Sequence, residues 1–79
     1  MKVRVLKPVF ADSASQLVHT ANQFEERILI QKEHWVIDAK SLLGVLALSL
    51  QPGDAVEIAA EGSASAEEAF LGLGLFEKE

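Results

Sequence analysis

The chain has no cysteine. A disulfide framework and a thiolate metal site are therefore both excluded as supports for a small fold. Basic residues are also few. Lys and Arg total 7 against 12 Asp and Glu, for a formal charge of −5. The seven are scattered from Lys2 to Lys78. Nucleic acid and anionic membrane surfaces require clustered cations, so neither is an expected partner. Long apolar runs are missing as well. The opening MKVRVLKPVF alternates charged and apolar residues, unlike the continuous apolar core of a signal peptide. No stretch approaches the roughly 18 apolar residues of a membrane span. The expectation is one cytoplasmic domain spanning residues 1–79.

What is present is apolar content, 49% of a 79-residue chain. A chain of this length buries only about 60% of its unfolded surface, so its one core must be efficient. Val3 and Val5 alternate with Lys2 and Arg4, the period of a half-buried strand ended by Pro8. The period then changes. Ala14, Leu17, Val18, Ala21 and Phe24 form one helical stripe, predicting a helix from about 12 to 24. Asp12 and Ser13 are its expected N-cap residues, with Ser13 and Gln16 as a capping box.

RILIQKE and HWVIDAK read as a hairpin turning near Glu33 and His34. A short helix from Ser41 to about Leu50 follows, stopped by Gln51-Pro52-Gly53-Asp54. AVEIAAE is a strand with Val56, Ile58 and Ala60 on one face, broken by Gly62 and Ser63. Ser65 and Glu68 suit a second capping box, and Ala66, Ala69, Phe70, Leu73 and Phe76 a last helical stripe. Gly72 and Gly74 weaken its end. The order is β-α-β-β-α-β-α. Strands mixed with one-sided amphipathic helices predict an α+β fold whose antiparallel sheet has helices on one face.

Chemistry is sparse. There is no phosphate-binding glycine loop, no metal-spaced histidine pair and no cofactor motif, so neither metal nor cofactor is expected. His19 falls beside the first helical stripe and His34 in the hairpin turn. Neither has a sequence neighbour that would tune it as a general base. Ser41 has two readings. As an N-cap it accepts a hydrogen bond from an orphan amide, worth about 1 kcal/mol. As a phosphorylation site it would place an anion against free N–H groups at a helix start. The helix behind it, AKSLLGVLALSL, is apolar on two faces, which favours an exposed patch facing a partner.

DAKSLLGVLALSLQPGDAVEIAAEG resembles the second half of HPr, the histidine phosphocarrier of the bacterial phosphotransferase system, and its relative Crh. Lys40, Ser41, Leu42, Leu43, Gly44 and Val45 match the family's Lys-Ser-hydrophobic-hydrophobic-Gly-Val in order, and Ala60-Glu61-Gly62 matches the end of its last strand. LVHTANQF is similar to its first helix. The resemblance implies an HPr-like open-faced sandwich with a four-stranded antiparallel sheet and three helices on one face.

The resemblance fails at the family's signature, Gly-[Leu/Ile]-His-Ala-Arg-Pro-Ala. Aligning on LVHTANQF places Phe10 at the phosphorylated histidine and Asp12 at the arginine that helps hold the phosphate. A phenyl ring has no nitrogen to phosphorylate, and a carboxylate there repels an anion. In Gram-positive relatives the serine matching Ser41 is phosphorylated by an ATP-dependent kinase. The helix it begins docks enzyme I, sugar permeases, that kinase and a catabolite-repression transcription factor. The resemblance thus implies Ser41 as regulatory site and Lys40, Leu42, Leu43 and Leu46 as partner contacts. The expected function is a non-catalytic regulatory or adaptor protein, not an enzyme. Two alternatives stand beside it. One is a phosphocarrier using a displaced histidine, His19. The other is a paralogue whose helix patch is closed by homodimerisation, which Leu43→Asp would abolish.

Overall fold

Alternation builds the sheet. In the computed structural model, which describes residues 1–61 and 64–79, β1 (Lys2–Val5) buries Val3 and Val5 and exposes Lys2 and Arg4. The hairpin strands are β2 (Ile28–Lys32) and β3 (Trp35–Asp38), joined through Glu33 and His34. β4 (Ala55–Ala60) buries Val56, Ile58 and Ala60 while Ala55, Glu57 and Ala59 face out. The predicted break at Gly62 and Ser63 lies outside the described residues.

Helices α1 (Asp12–Ala21), α2 (Leu42–Leu48) and α3 (Ala64–Leu71) supply the other layer. Leu17 of α1, Val45 of α2 and Phe70 of α3 are buried with Ile28, Ile30 and Ile58 of the sheet in one cluster. Residues pointing the other way, such as Arg4, Gln31 and Glu57, stay exposed. The result is an α+β open-faced sandwich, as the patterning predicts.

The expected four-stranded sheet has five strands. β5 (Phe76–Lys78) pairs antiparallel with β1, giving the order β3-β2-β4-β1-β5. The final helical stripe therefore does not run to Phe76. α3 stops at Leu71, and Gly74 takes a φ of 76°, which turns the chain back at little steric cost. Leu6 N–H then donates to the Leu75 carbonyl at 2.7 Å, and Phe76 is buried from a strand.

The first helix is shorter than its stripe. It ends at Ala21, where the Asn22 side-chain amide donates to the Val18 carbonyl at 2.8 Å. Neither capping box forms. Asp12 and Ser13 lie inside α1, and the residue before it is Ala11, which offers no side-chain cap. Ser65 is the second residue of α3 rather than the residue preceding it. Among the described residues, no helix is long and apolar enough to cross a membrane.

Candidate functional site

Two regions carry the residues singled out in the sequence. The first is the entry to α1. Val9 is buried and its N–H donates to the Leu50 carbonyl at 3.0 Å, which fixes the loop against the end of α2. Phe10 follows and is 69% exposed. Its N–H donates to Ser13 Oγ at 2.9 Å, so Ser13 staples this loop instead of capping the helix. Ala11 adopts φ 52° and ψ −117°. A positive φ is costly for a residue with a Cβ, and strain of this kind persists only where its surroundings impose it. Asp12 is exposed in the first turn of α1, where the helix dipole favours its charge. This geometry offers no imidazole and no guanidinium to an incoming phosphoryl group.

His19 is exposed, in the last turn of α1, with Gln23 Nε2 3.5 Å from its Nε2. The last turn presents carbonyls and the negative end of the dipole, an environment unfavourable to a phosphate. His34 is exposed in the hairpin turn.

The second region is α2. Asp38 sets its start. Asp38 Oδ1 accepts from Lys40 N–H at 2.8 Å, and the Asp38 carbonyl accepts from Ser41 N–H at 3.0 Å. Ser41 is the N-cap, with extended torsions and its Oγ accepting from Gly44 N–H at 3.2 Å. Ser41 itself is an exposed residue. Lys40 is anchored: its Nζ donates to the Phe24 carbonyl at 2.6 Å, and Asn22 Nδ2 lies 3.4 Å from its carbonyl.

The helix divides cleanly. Val45 and Leu48 are buried, Leu46 is half-buried against the core, and Leu42 and Leu43 are 41% and 81% exposed. Gly44 faces β3, where a Cβ would stand 3.4 Å from Ile37 Cβ, about van der Waals contact. The far end is held as firmly. Ser49 ends the helix in the left-handed region, φ 51° and ψ 53°. Beyond it Asp54 Oδ2 accepts from Gln51 N–H at 2.8 Å and from Lys32 Nζ at 3.1 Å. The Gln51 amide first, and Lys32 second, lower the Asp54 pKa below the usual carboxylate value. Ser41, Leu42 and Leu43 are thus presented on a short helix fixed at both ends.

One further exposed apolar pair was not expected from the patterning. Trp35 and Val36 at the start of β3 are 66% and 54% exposed. The only hint in the sequence is that HWVID carries apolar residues on both faces of a short strand.

This order of elements and this sheet define an HPr-type sandwich. The family model described as the PTS HPr component phosphorylation site matches residues 6–76. The HPr-like protein Crh of Halalkalibacterium halodurans is 28% identical over 79 residues, covering 100% of this chain and 94% of that one. The phosphocarrier protein HPr of Treponema pallidum is 34% identical over 62 residues, 76% of this chain and 70% of that one. The crystal structure of HPr-C-His from Thermoanaerobacter tengcongensis superposes with a TM-score of 0.85 at 27% identity, covering 92% of this chain and 86% of the other. The chain belongs to the HPr/Crh-like family of the phosphotransferase system.

Proposed function

We propose that this chain is a non-catalytic member of that family, acting as a regulatory or adaptor protein through the Ser41 helix. The observation that carries the reading is the outward pair Leu42 and Leu43 beside an exposed Ser41 on a helix anchored at both ends. Contiguous exposed apolar side chains on a rigid element suit protein docking, because little order is lost on binding. The partners would be those the family uses, namely a serine kinase, a transcription regulator or a component of the phosphotransferase system.

Phosphorylation of Ser41 would supply the switch. It adds about −1.5 to −2 charges beside Leu42 and Leu43. Partners with arginine at this spot gain charge-assisted hydrogen bonds, and partners offering acidic or apolar surface are repelled. Against a phosphocarrier role stand Phe10, which has no nitrogen, and His19, at the dipole end that disfavours phosphate.

Two measurements test this reading. After incubation with phosphoenolpyruvate and enzyme I, the protein is expected to carry no acid-labile phosphate. Acid-labile phosphate lost in His19→Ala would replace the adaptor reading with the displaced-histidine one. Binding of a purified bacterial HPr kinase, followed by calorimetry, is expected to weaken at least tenfold in Leu43→Asp with the fold intact. Equal affinity would remove α2 as the docking surface.

A further inference from the structure

Lys40 stands just before the cap of α2, and its side chain is engaged within the molecule. Its part-buried Nζ donates to the Phe24 carbonyl at 2.6 Å. That carbonyl lies just past α1, where the Gln23 and Phe24 N–H groups still bond back to the Thr20 and Ala21 carbonyls at 3.1 and 3.2 Å. A helix end gathers unpaired carbonyls and the negative end of the dipole, so a cation suits it. The last turn of α1 holds no lysine or arginine, only His19. The cation comes instead from the start of a different helix. Asn22 adds a second tie, since its Nδ2 donates to the Val18 carbonyl at 2.8 Å and lies 3.4 Å from the Lys40 carbonyl.

The residues on either side of Lys40 are fixed as well. Ala39 is fully buried, and its N–H donates to the Ile28 carbonyl at 2.9 Å. Asp38 accepts from Lys40 N–H through Oδ1 at 2.8 Å and from Ser41 N–H through its carbonyl at 3.0 Å. Residue 39 is thus tied to β2, residue 40 to the end of α1, and residue 41 to the end of β3. α2 has only 7 residues, with no acidic residue in its first turn and no basic residue in its last. A helix that short does not fix its own start, so these outside ties set where Ser41 Oγ stands.

We propose that Lys40 is a positioning residue for Ser41, its bond to the Phe24 carbonyl holding Oγ against Gly44 N–H in the orientation that accepts phosphate. The role deepens the reading of Ser41 as the regulated serine and rests on it. A serine hydroxyl has two lone pairs, and Gly44 N–H occupies one. In phosphoryl transfer the other forms the bond to the γ-phosphorus of ATP. The bond from that phosphorus to the bridging oxygen breaks, ADP leaves, and the hydroxyl proton passes to a base on the kinase. Such chemistry depends chiefly on placement, so a displaced acceptor oxygen slows it.

Lys40→Met keeps the aliphatic stem and removes the ammonium, whereas Lys40→Arg keeps a charged donor. Both would be compared with the parent and with Ser41→Ala, at a temperature where circular dichroism shows every protein folded. In Lys40→Met the Gly44 amide proton is expected to move upfield toward its NMR position in Ser41→Ala, while the amides of β1 and β4 stay in place. With ATP and a bacterial HPr kinase, kcat is expected to fall about tenfold or more while KM stays within about twofold, because misplacement slows the chemical step without weakening ground-state binding. Lys40→Arg is expected to restore both readings. In the parent, the Lys40 ammonium protons are expected to exchange with water more slowly than those of the exposed Lys7 and Lys78. Exchange as fast as theirs would overturn the proposal, as would a Gly44 amide that does not move in folded Lys40→Met. A raised KM with unchanged kcat would also overturn it and make Lys40 a partner contact. Absence of phosphate on the parent would instead refute the regulated-serine reading, and the Gly44 amide would still decide whether Lys40 positions the hydroxyl.

Discussion

Ser41 caps α2, and substitution can separate that role from the proposed regulatory one. Its Oγ accepts from Gly44 N–H at 3.2 Å, satisfying an amide that α2 cannot satisfy itself. Ser41→Ala removes that acceptor and leaves the amide to water. N-cap replacements of this kind cost about 1 kcal/mol. For a domain of this size that corresponds to a fall of roughly 4–8 °C in Tm. Ser41→Asp behaves differently, since aspartate is as good an N-cap as serine and its charge suits the helix start. Its stability is expected to stay within about 0.5 kcal/mol of the parent, the range of ordinary surface changes. Urea unfolding followed by circular dichroism measures both, with equal m-values showing that only stability moved. A neutral Ser41→Ala would refute the cap. If Ser41→Asp were as destabilising as Ser41→Ala, the carboxylate would not be replacing the hydroxyl, and the variant could not serve as a mimic of the phosphorylated state.

Three other expectations follow from the same geometry. Leu43→Asp is expected to change stability by under about 0.5 kcal/mol because the side chain is 81% exposed, whereas Leu48→Asp buries a charge and is expected to abolish cooperative unfolding. Thermal melts of the two distinguish an outward from an inward face. Ser49→Gly relieves a left-handed residue at the end of α2 and is expected to raise stability by about 1 kcal/mol; an unchanged midpoint would contradict the strain. Asp54 has a lowered folded-state pKa, so its contribution is fully present above the unfolded value of about 3.9 and is lost as pH falls through the lower folded value. The gap in urea midpoint between parent and Asp54→Asn should therefore be full at neutral pH and shrink below about pH 4. A gap that stays constant to low pH would remove the Gln51 and Lys32 contacts as its cause.

Period-2 alternation at Val3 and Val5, the hairpin around Glu33 and His34, and the Ser41 cap were legible because each is a local pattern. β5 was not. Phe76 continues the spacing of Ala66, Ala69 and Leu73, so a helical stripe and a three-residue strand predict the same burial there. Gly74 and pairing to β1 decide the matter, and pairing is a tertiary fact. The loop before α1 hid its geometry for a similar reason. Ser13 has the composition of a cap, yet in a loop where Val9 N–H is tied to the Leu50 carbonyl at 3.0 Å and Ala11 sits at positive φ, its hydroxyl accepts from Phe10 N–H. The expectation that Phe10 stands where the family has its histidine rests only on family resemblance, because an exposed phenylalanine in a loop carries no chemistry of its own. The exposure of Trp35 was masked by its strand propensity, which does not say which edge remains open.

The central claim is that Ser41 is the regulated position on a docking helix. Intact mass after incubation with ATP and a bacterial HPr kinase tests it most directly, with Ser41→Ala as the control. The account predicts one added phosphate, absent from the folded Ser41→Ala variant. No phosphate on the folded parent protein, or a phosphate that persists in Ser41→Ala, would contradict it and leave Ser41 with its capping role alone.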